Sequence, residues 1–142
     1  MKVSITHIDT ACVLIDINGF KILTDPTLDK KDGFFPQYVS SPLAFSKKYI
    51  DPALSVAEIG TVDLVLLSHD HHSDNLDKNG RSFIKTVKTV LSTKDAVKRL
   101  KNNNTIGLDN WEEYLVATEK VAGLKVTAIP AQHTNIKRLD RV

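Results

Sequence analysis

"LLSHDHHSDNLD", Leu66 to Asp77, decides how this chain is read. It continues the largely apolar run Val62 to Leu67 and places three histidines and three aspartates in the nine residues from His69 to Asp77. A buried strand that ends in such a cluster presents it at a sheet edge, where open α/β sheets bind their ligands. In an extended segment, residues two apart face the same way, so His69 and His71 are placed to share one ion. Asp70, His72 and Asp74 form an interleaved set with the same spacing. Imidazoles mixed with carboxylates suit zinc, iron or manganese, and the carboxylates also serve as acceptors that fix a histidine tautomer. The competing reading is a solvated loop whose histidines are incidental. The chain has five histidines in all, and three of them within four positions at a strand end argue for a metal site. His133, just beyond the predicted strand in "GLKVTAIPAQH", is the natural further ligand, while His7 is assigned to the core or surface of the first strand.

Working outward, Lys2 to Ile8 and Ala11 to Ile17 carry strand patterns, and Asn18-Gly19 supplies the positive-φ pair of a tight hairpin. "FKILTD" returns as the partner strand and stops at Asp25-Pro26. From Asp25 to Gly60 the chain contains Pro26, Pro36, Pro42 and Pro52, and is expected to be a long connection with at most short helical pieces. Its aromatic residues Phe34, Phe35, Tyr38, Phe45 and Tyr49 either line a cleft or pin the connection to the core. "TVDLVLLS" reads as a strand buried on both faces, "LDKNGRSFIKTV" as a short helix, "TVLST" as a strand, and Thr93 as the N-cap of a helix in "KDAVKRLKN". Strands alternating with helices give an α/β chain with layered packing.

Composition narrows the function. A chain of 142 residues with 42% hydrophobic and 25% charged residues has the make-up of one globular domain. A formal charge of +2, with Lys and Arg scattered, gives no reason to expect a nucleic-acid or membrane partner. The basic stretch "KTVKTVLSTKDAVKRLK" lacks interleaved aromatics and reads as a solvated face. No Gly-rich loop between strand and helix marks a phosphate site. Cys12, the single cysteine, lies in an apolar run and is expected to be a buried core thiol, which fits a reducing cytoplasm. Alternation at the N-terminus reads as neither signal peptide nor membrane span, so a cytoplasmic location is expected.

The cluster resembles the His-x-His-x-Asp-His motif of the metallo-β-lactamase superfamily, in particular the branch of broad metal-dependent hydrolases related to the lactonase that opens ascorbate 6-phosphate. "ACVLIDINGFKILTDP" is similar to that branch's N-terminal hairpin, and "GLKVTAIPAQH" to the strand carrying its next histidine. Two registers are open. With His69 and His71 as the first two histidines, Asp74 arrives one residue late; with spacing kept, the motif falls on Asp70, His72, Asp74 and Asn75. Asp74 takes the aspartate role in both.

The resemblance implies a four-layer αβ/βα sandwich, of which this chain is the first half, with metal at the edge between two sheets, Asp25 near the site and His133 as a ligand. It also implies a second half with a further sheet, a bridging carboxylate and a last histidine. Residues 1–142 are therefore expected to form a single domain that stops after the strand carrying His133, with Thr134-Asn135 where the branch has Gly-Pro. The expected function is a metal-dependent hydrolase acting on an ester-, lactone- or phosphodiester-like bond of a small-molecule substrate. One or two divalent ions serve it, zinc first, then manganese or iron, with Asp74 orienting the nucleophile or taking a proton. The alternative is a non-catalytic remnant that binds metal or a partner without turnover. A half-sandwich leaves an apolar sheet face, so self-association is expected.

Overall fold

The computed structural model describes residues 1–31, 34–38 and 41–131, with backbone alone for 34–38 and 41–46. Its central element is a six-stranded sheet built from β1 (Val3–Asp9), β2 (Cys12–Ile17), β3 (Phe20–Thr24), β6 (Leu64–Leu66), β7 (Val90–Thr93) and β8 (Thr105–Leu108), adjacent in that order. β1, β2 and β3 are antiparallel, and β3, β6, β7 and β8 run parallel. The turn between β2 and β3 has Asn18 at φ 51° and Gly19 at φ 85°, the left-handed pair that matches the twist of a hairpin.

Alternation along the strands sends side chains to two cores. On one face Cys12, Leu23, Val65, Leu67 and Val90 pack with Leu76, Phe83 and Ile84 from the helical side. These helices are α1 (Val56–Ile59), α2 (Lys78–Phe83, continued by a 3-10 turn, Ile84–Thr86) and α3 (Lys94–Leu100). Thr93 caps α3 as its sequence position implies, its hydroxyl accepting the Ala96 N–H at 3.1 Å. Thr93→Ala is expected to lower stability by about 1 kcal/mol, measured by urea unfolding. Cys12 is fully buried, and burial pushes its thiol up to about 11, so it stays protonated and inert at neutral pH.

On the other face Phe20, Ile22, Leu64 and Leu91 form a second core. It is covered by a separate hairpin, β9 (Glu113–Leu115) and β10 (Lys125–Thr127), through Tyr114, Val116, Leu124 and Val126. The strand foreseen in "GLKVTAIPAQH" is therefore β10, and it pairs with β9 outside the main sheet. The apolar face is partly clothed by this hairpin and stays bare toward β1, where Ile5 is 69% exposed.

The connection after Asp25 differs from expectation. It contains a β-ribbon, β4 (Phe34–Tyr38) paired antiparallel with β5 (Ser41–Lys47). Its prolines argued against strands, but each strand of a two-stranded ribbon is an edge, where a residue without an N–H is tolerated. Of its aromatics, the side chains of Phe34, Phe35, Tyr38 and Phe45 lie outside the described residues, and Tyr49 is exposed. β8 and β9 also escape the pattern reading, being short and, in β8, interrupted by Gly107. That glycine lets α3 approach: a Cβ there would lie 2.8 Å from the Lys94 Cα.

Candidate metal centre

All of the parallel strands end on one edge, and β3 and β6 deliver the site there. Asp25 follows β3 and Ser68 follows β6, tied by the Asp25 N–H donating to the Leu66 carbonyl at 3.0 Å. The Asp25 carboxylate crosses back to hold the start of the cluster: its Oδ1 accepts from the Ser68 N–H at 2.7 Å and from the Ser68 hydroxyl at 2.9 Å. Burial raises the Asp25 pKa, opposed by donation from Ser68 and Asn75, while the charge of Asp74 adds to the rise.

With its one proton given to Asp25, the Ser68 hydroxyl accepts from its other neighbours. The Asn75 amide donates to it at 3.3 Å, and His69 Nδ1 lies 2.9 Å away. His69 must then carry its proton on Nδ1, which leaves Nε2 as the basic nitrogen. Asp25, Ser68 and Asn75 together set the tautomer of one imidazole.

His69, His71 and His72 converge. One ring nitrogen from each lies within 4.8 Å of the others, and among the described residues these three form the candidate metal group. Ring centroids are 5.0 Å apart for His69 with His71 and with His72, and 4.3 Å for His71 with His72. Two nitrogens on one tetrahedral ion at about 2.0–2.1 Å stand roughly 3.3 Å apart, so the rings must draw closer together to share one. The donor set fits a borderline-soft divalent ion.

This set crosses both sequence registers. An extended chain would turn His72 away from His69 and His71, but the backbone bends at Asp70 and His71, ahead of the turn in which the His72 carbonyl accepts from the Leu76 N–H at 3.0 Å. That bend brings the third ring to the first two. Asp70 points elsewhere, its carboxylate engaged by Arg99. Asn75 supports Ser68, as above. Asp74 is exposed on the rim, with its carbonyl accepting from the Thr10 hydroxyl at 3.1 Å. Its side belongs to a pocket of about 110 Å³ lined also by Asp9, Thr10, Thr27, Ser73, Lys47, Lys48 and Asp77. A larger cavity of about 530 Å³, between α1 and α2, contains no titratable group among its lining residues and is set apart from the chemistry. His133 lies outside the described residues, and His7 is exposed, with Nε2 3.1 Å from the Thr10 carbonyl.

The profile described as "Beta-lactamase superfamily domain" matches residues 4–142. This chain belongs to the metallo-β-lactamase superfamily. Within that superfamily it is 26% identical over 145 residues to "N-acyl-phosphatidylethanolamine-hydrolyzing phospholipase D 1" of Caenorhabditis elegans, covering 95% of this chain and 39% of that protein. Its fold is similar to that of an isothiocyanate hydrolase from Delia radicum gut bacteria, at TM-score 0.61 and 20% identity, over 80% of this chain and 43% of the other. It is also similar to CmlA, a diiron β-hydroxylase of Streptomyces venezuelae, at TM-score 0.60 and 18% identity, over 96% and 26% of the two chains. The chain thus spans less than half the length of each of these proteins. Among its described residues no helix is long and apolar enough to cross a membrane.

Two further carboxylates brace the loop from behind. Asp77 caps α2, accepting the Gly80 N–H at 2.8 Å and the Asp29 N–H at 2.7 Å, while Asp29 accepts from the Asn79 N–H at 3.0 Å. Burial pushes the Asp77 carboxyl up to about 6, against the hydrogen bonds that favour its charge. A raised acid binds its proton more tightly in the folded state, so this group adds stability as pH falls through 6 toward its ordinary value of 3.8. The unfolding free energy of the wild type, minus that of Asp77→Asn, is expected to rise between pH 7 and pH 5. Urea titrations at each pH check it; a flat or falling difference would count against the assignment.

Proposed function

We infer that this chain carries the first-loop metal site of a metal-dependent hydrolase acting on an ester-, lactone- or phosphodiester-like bond. The convergence of His69, His71 and His72 within 4.8 Å is the observation that carries the reading. Membership of a superfamily whose relatives include named hydrolases supports it. His69, His71 and His72 would hold the cation, with His133 proposed as a further ligand and zinc, manganese or iron as the ion. The cation supplies Lewis acidity toward water and toward the oxygen of the bond under attack.

The chain's own residues do the rest. Asp25 and Ser68 hold His69 in the tautomer that leaves Nε2 basic. Asp74, on the rim and beside the small pocket, is proposed to orient the attacking water and to accept its proton. The pocket's volume of about 110 Å³ admits a group of only a few heavy atoms, and Thr10, Thr27 and Ser73 offer hydroxyls to a polar one. Lys48 is held in place there by its ion pair with Asp9 and by donation to the Asp29 carbonyl at 2.6 Å.

The test is hydrolysis of a chromogenic ester, a thiolactone and bis(p-nitrophenyl) phosphate by protein stripped with chelator and then given back zinc or manganese. Metal-restored turnover of at least one substrate, lost in Asp74→Asn by about 100-fold or more, is expected. Stoichiometric metal uptake with no turnover of any of them would favour the non-catalytic alternative.

A further inference from the structure

Asp70 stands between two of the clustered imidazoles and is nearly sealed from solvent, at 2% exposure. Its Oδ1 accepts from Arg99 Nε at 2.8 Å and from Arg99 Nη2 at 2.5 Å. Its backbone carbonyl accepts from Arg81 Nη2. Arg99 lies in the last turn of α3 and Arg81 in the last turn of α2. The helices that follow β6 and β7 therefore each send a guanidinium to the same residue.

One guanidinium on the carboxylate is enough to compensate a buried charge. The second, on the carbonyl, acts on the backbone. A residue held by both its side chain and its carbonyl has both torsions fixed, and the Cα–Cβ bonds on either side of it then point in set directions. Those neighbours are His69 and His71. Burial lowers the Arg81 pKa, with Asp70 and Asp77 opposing the shift and Arg99 reinforcing it, so the two guanidiniums are close neighbours.

We propose that Arg81 and Arg99 are positioning residues which, through Asp70, aim His69 and His71 at one point and keep the Asp70 carboxylate out of the cation's shell. The proposal rests on the metal reading above. Holding this oxygen donor away leaves a nitrogen-rich site, which suits zinc or iron better than magnesium or calcium. The two arginines are 11 and 29 residues from Asp70 in sequence and carry no motif of their own.

The test combines long-range 15N–1H spectra of the histidine rings in metal-free protein with optical titration by cobalt(II). Arg99→Gln is expected to shift or broaden the His69 and His71 ring signals and to weaken cobalt binding by about 10-fold or more. Arg99→Lys, which keeps the charge and loses the two-point contact, is expected to recover part of both effects. Lys98→Gln, an exposed change on the same helix, should alter neither. Asp70→Asn keeps an oxygen acceptor for Arg99 and should retain the wild-type shape of the cobalt spectrum. Wild-type ring spectra and cobalt affinity in Arg99→Gln would overturn the proposal, as would a changed cobalt spectrum in Asp70→Asn. If the wild type takes up no cobalt, the metal reading fails and with it the claim about the cation's shell. The ring spectra still separate a brace that aims the imidazoles from one that does not.

Discussion

His71→Ala is expected to weaken zinc binding by more than about 100-fold, measured by calorimetric titration of metal-free protein. Losing an outer partner of a metal ligand commonly costs about 10–100-fold, and losing the ligand itself should exceed that. His71 is one of three rings whose nitrogens lie within 4.8 Å of each other, and its loss leaves two. His72→Ala should behave alike, although its neighbour spacing in an extended chain would have excluded it. The control is His7→Ala: His7 is exposed and approaches the Thr10 carbonyl, so zinc affinity should not change. Because His71 and His72 are only partly buried, neither change removes a core contact, and thermal unfolding should stay close to wild type. Equal zinc affinity in His71→Ala and the wild type would contradict the site.

The largest effect on stability is expected at Gly80→Ala. Gly80 sits in α2, a place where alanine is ordinarily the better residue by about 1 kcal/mol. Here the sign reverses, because a Cβ at Gly80 would lie 1.9 Å from the Pro26 carbonyl oxygen and 2.9 Å from its carbonyl carbon. Both are backbone atoms and neither can rotate aside. The helix must move off Pro26, breaking the Gly80 N–H bond to Asp77 and disturbing Asp25, one residue away. A loss of about 3 kcal/mol or more is expected by urea unfolding, together with weaker metal binding. A variant as stable as the wild type would show that α2 is not pressed against the Asp25-Pro26 turn.

What the sequence made legible was local. The Asn18-Gly19 turn, the Thr93 cap, the buried β6 and the short helix in "LDKNGRSFIKTV" each follow from a few adjacent residues whose backbone preferences agree with the fold. The histidine cluster was visible for the same reason, since three histidines at a strand end need no distant partner to be noticed. The β4–β5 ribbon was not, because Pro36 and Pro42 break a strand only when it is central, and edge status is a property of the assembled sheet. β10 was foreseen as a strand, but β9 and the pairing of the two into a hairpin were not, because its inner face is set by the second core, beyond the reach of a short window. His72 joined the site through a bend of the backbone at Asp70 and His71, which an extended reading of the segment does not contain. Asp70 left the candidate ligands because of Arg99, a residue 29 positions away. Periodicity places a side chain on a face; it takes the folded partners to decide what that side chain meets.

Everything proposed for the site requires that the three imidazoles bind one ion. X-ray absorption at the zinc edge, on protein loaded with one equivalent of zinc and freed of excess metal, counts them directly. A shared site gives at least three imidazole nitrogens per zinc at about 2.0–2.1 Å, with the count falling by one in His71→Ala. A shell made of oxygen with one imidazole or none would contradict it.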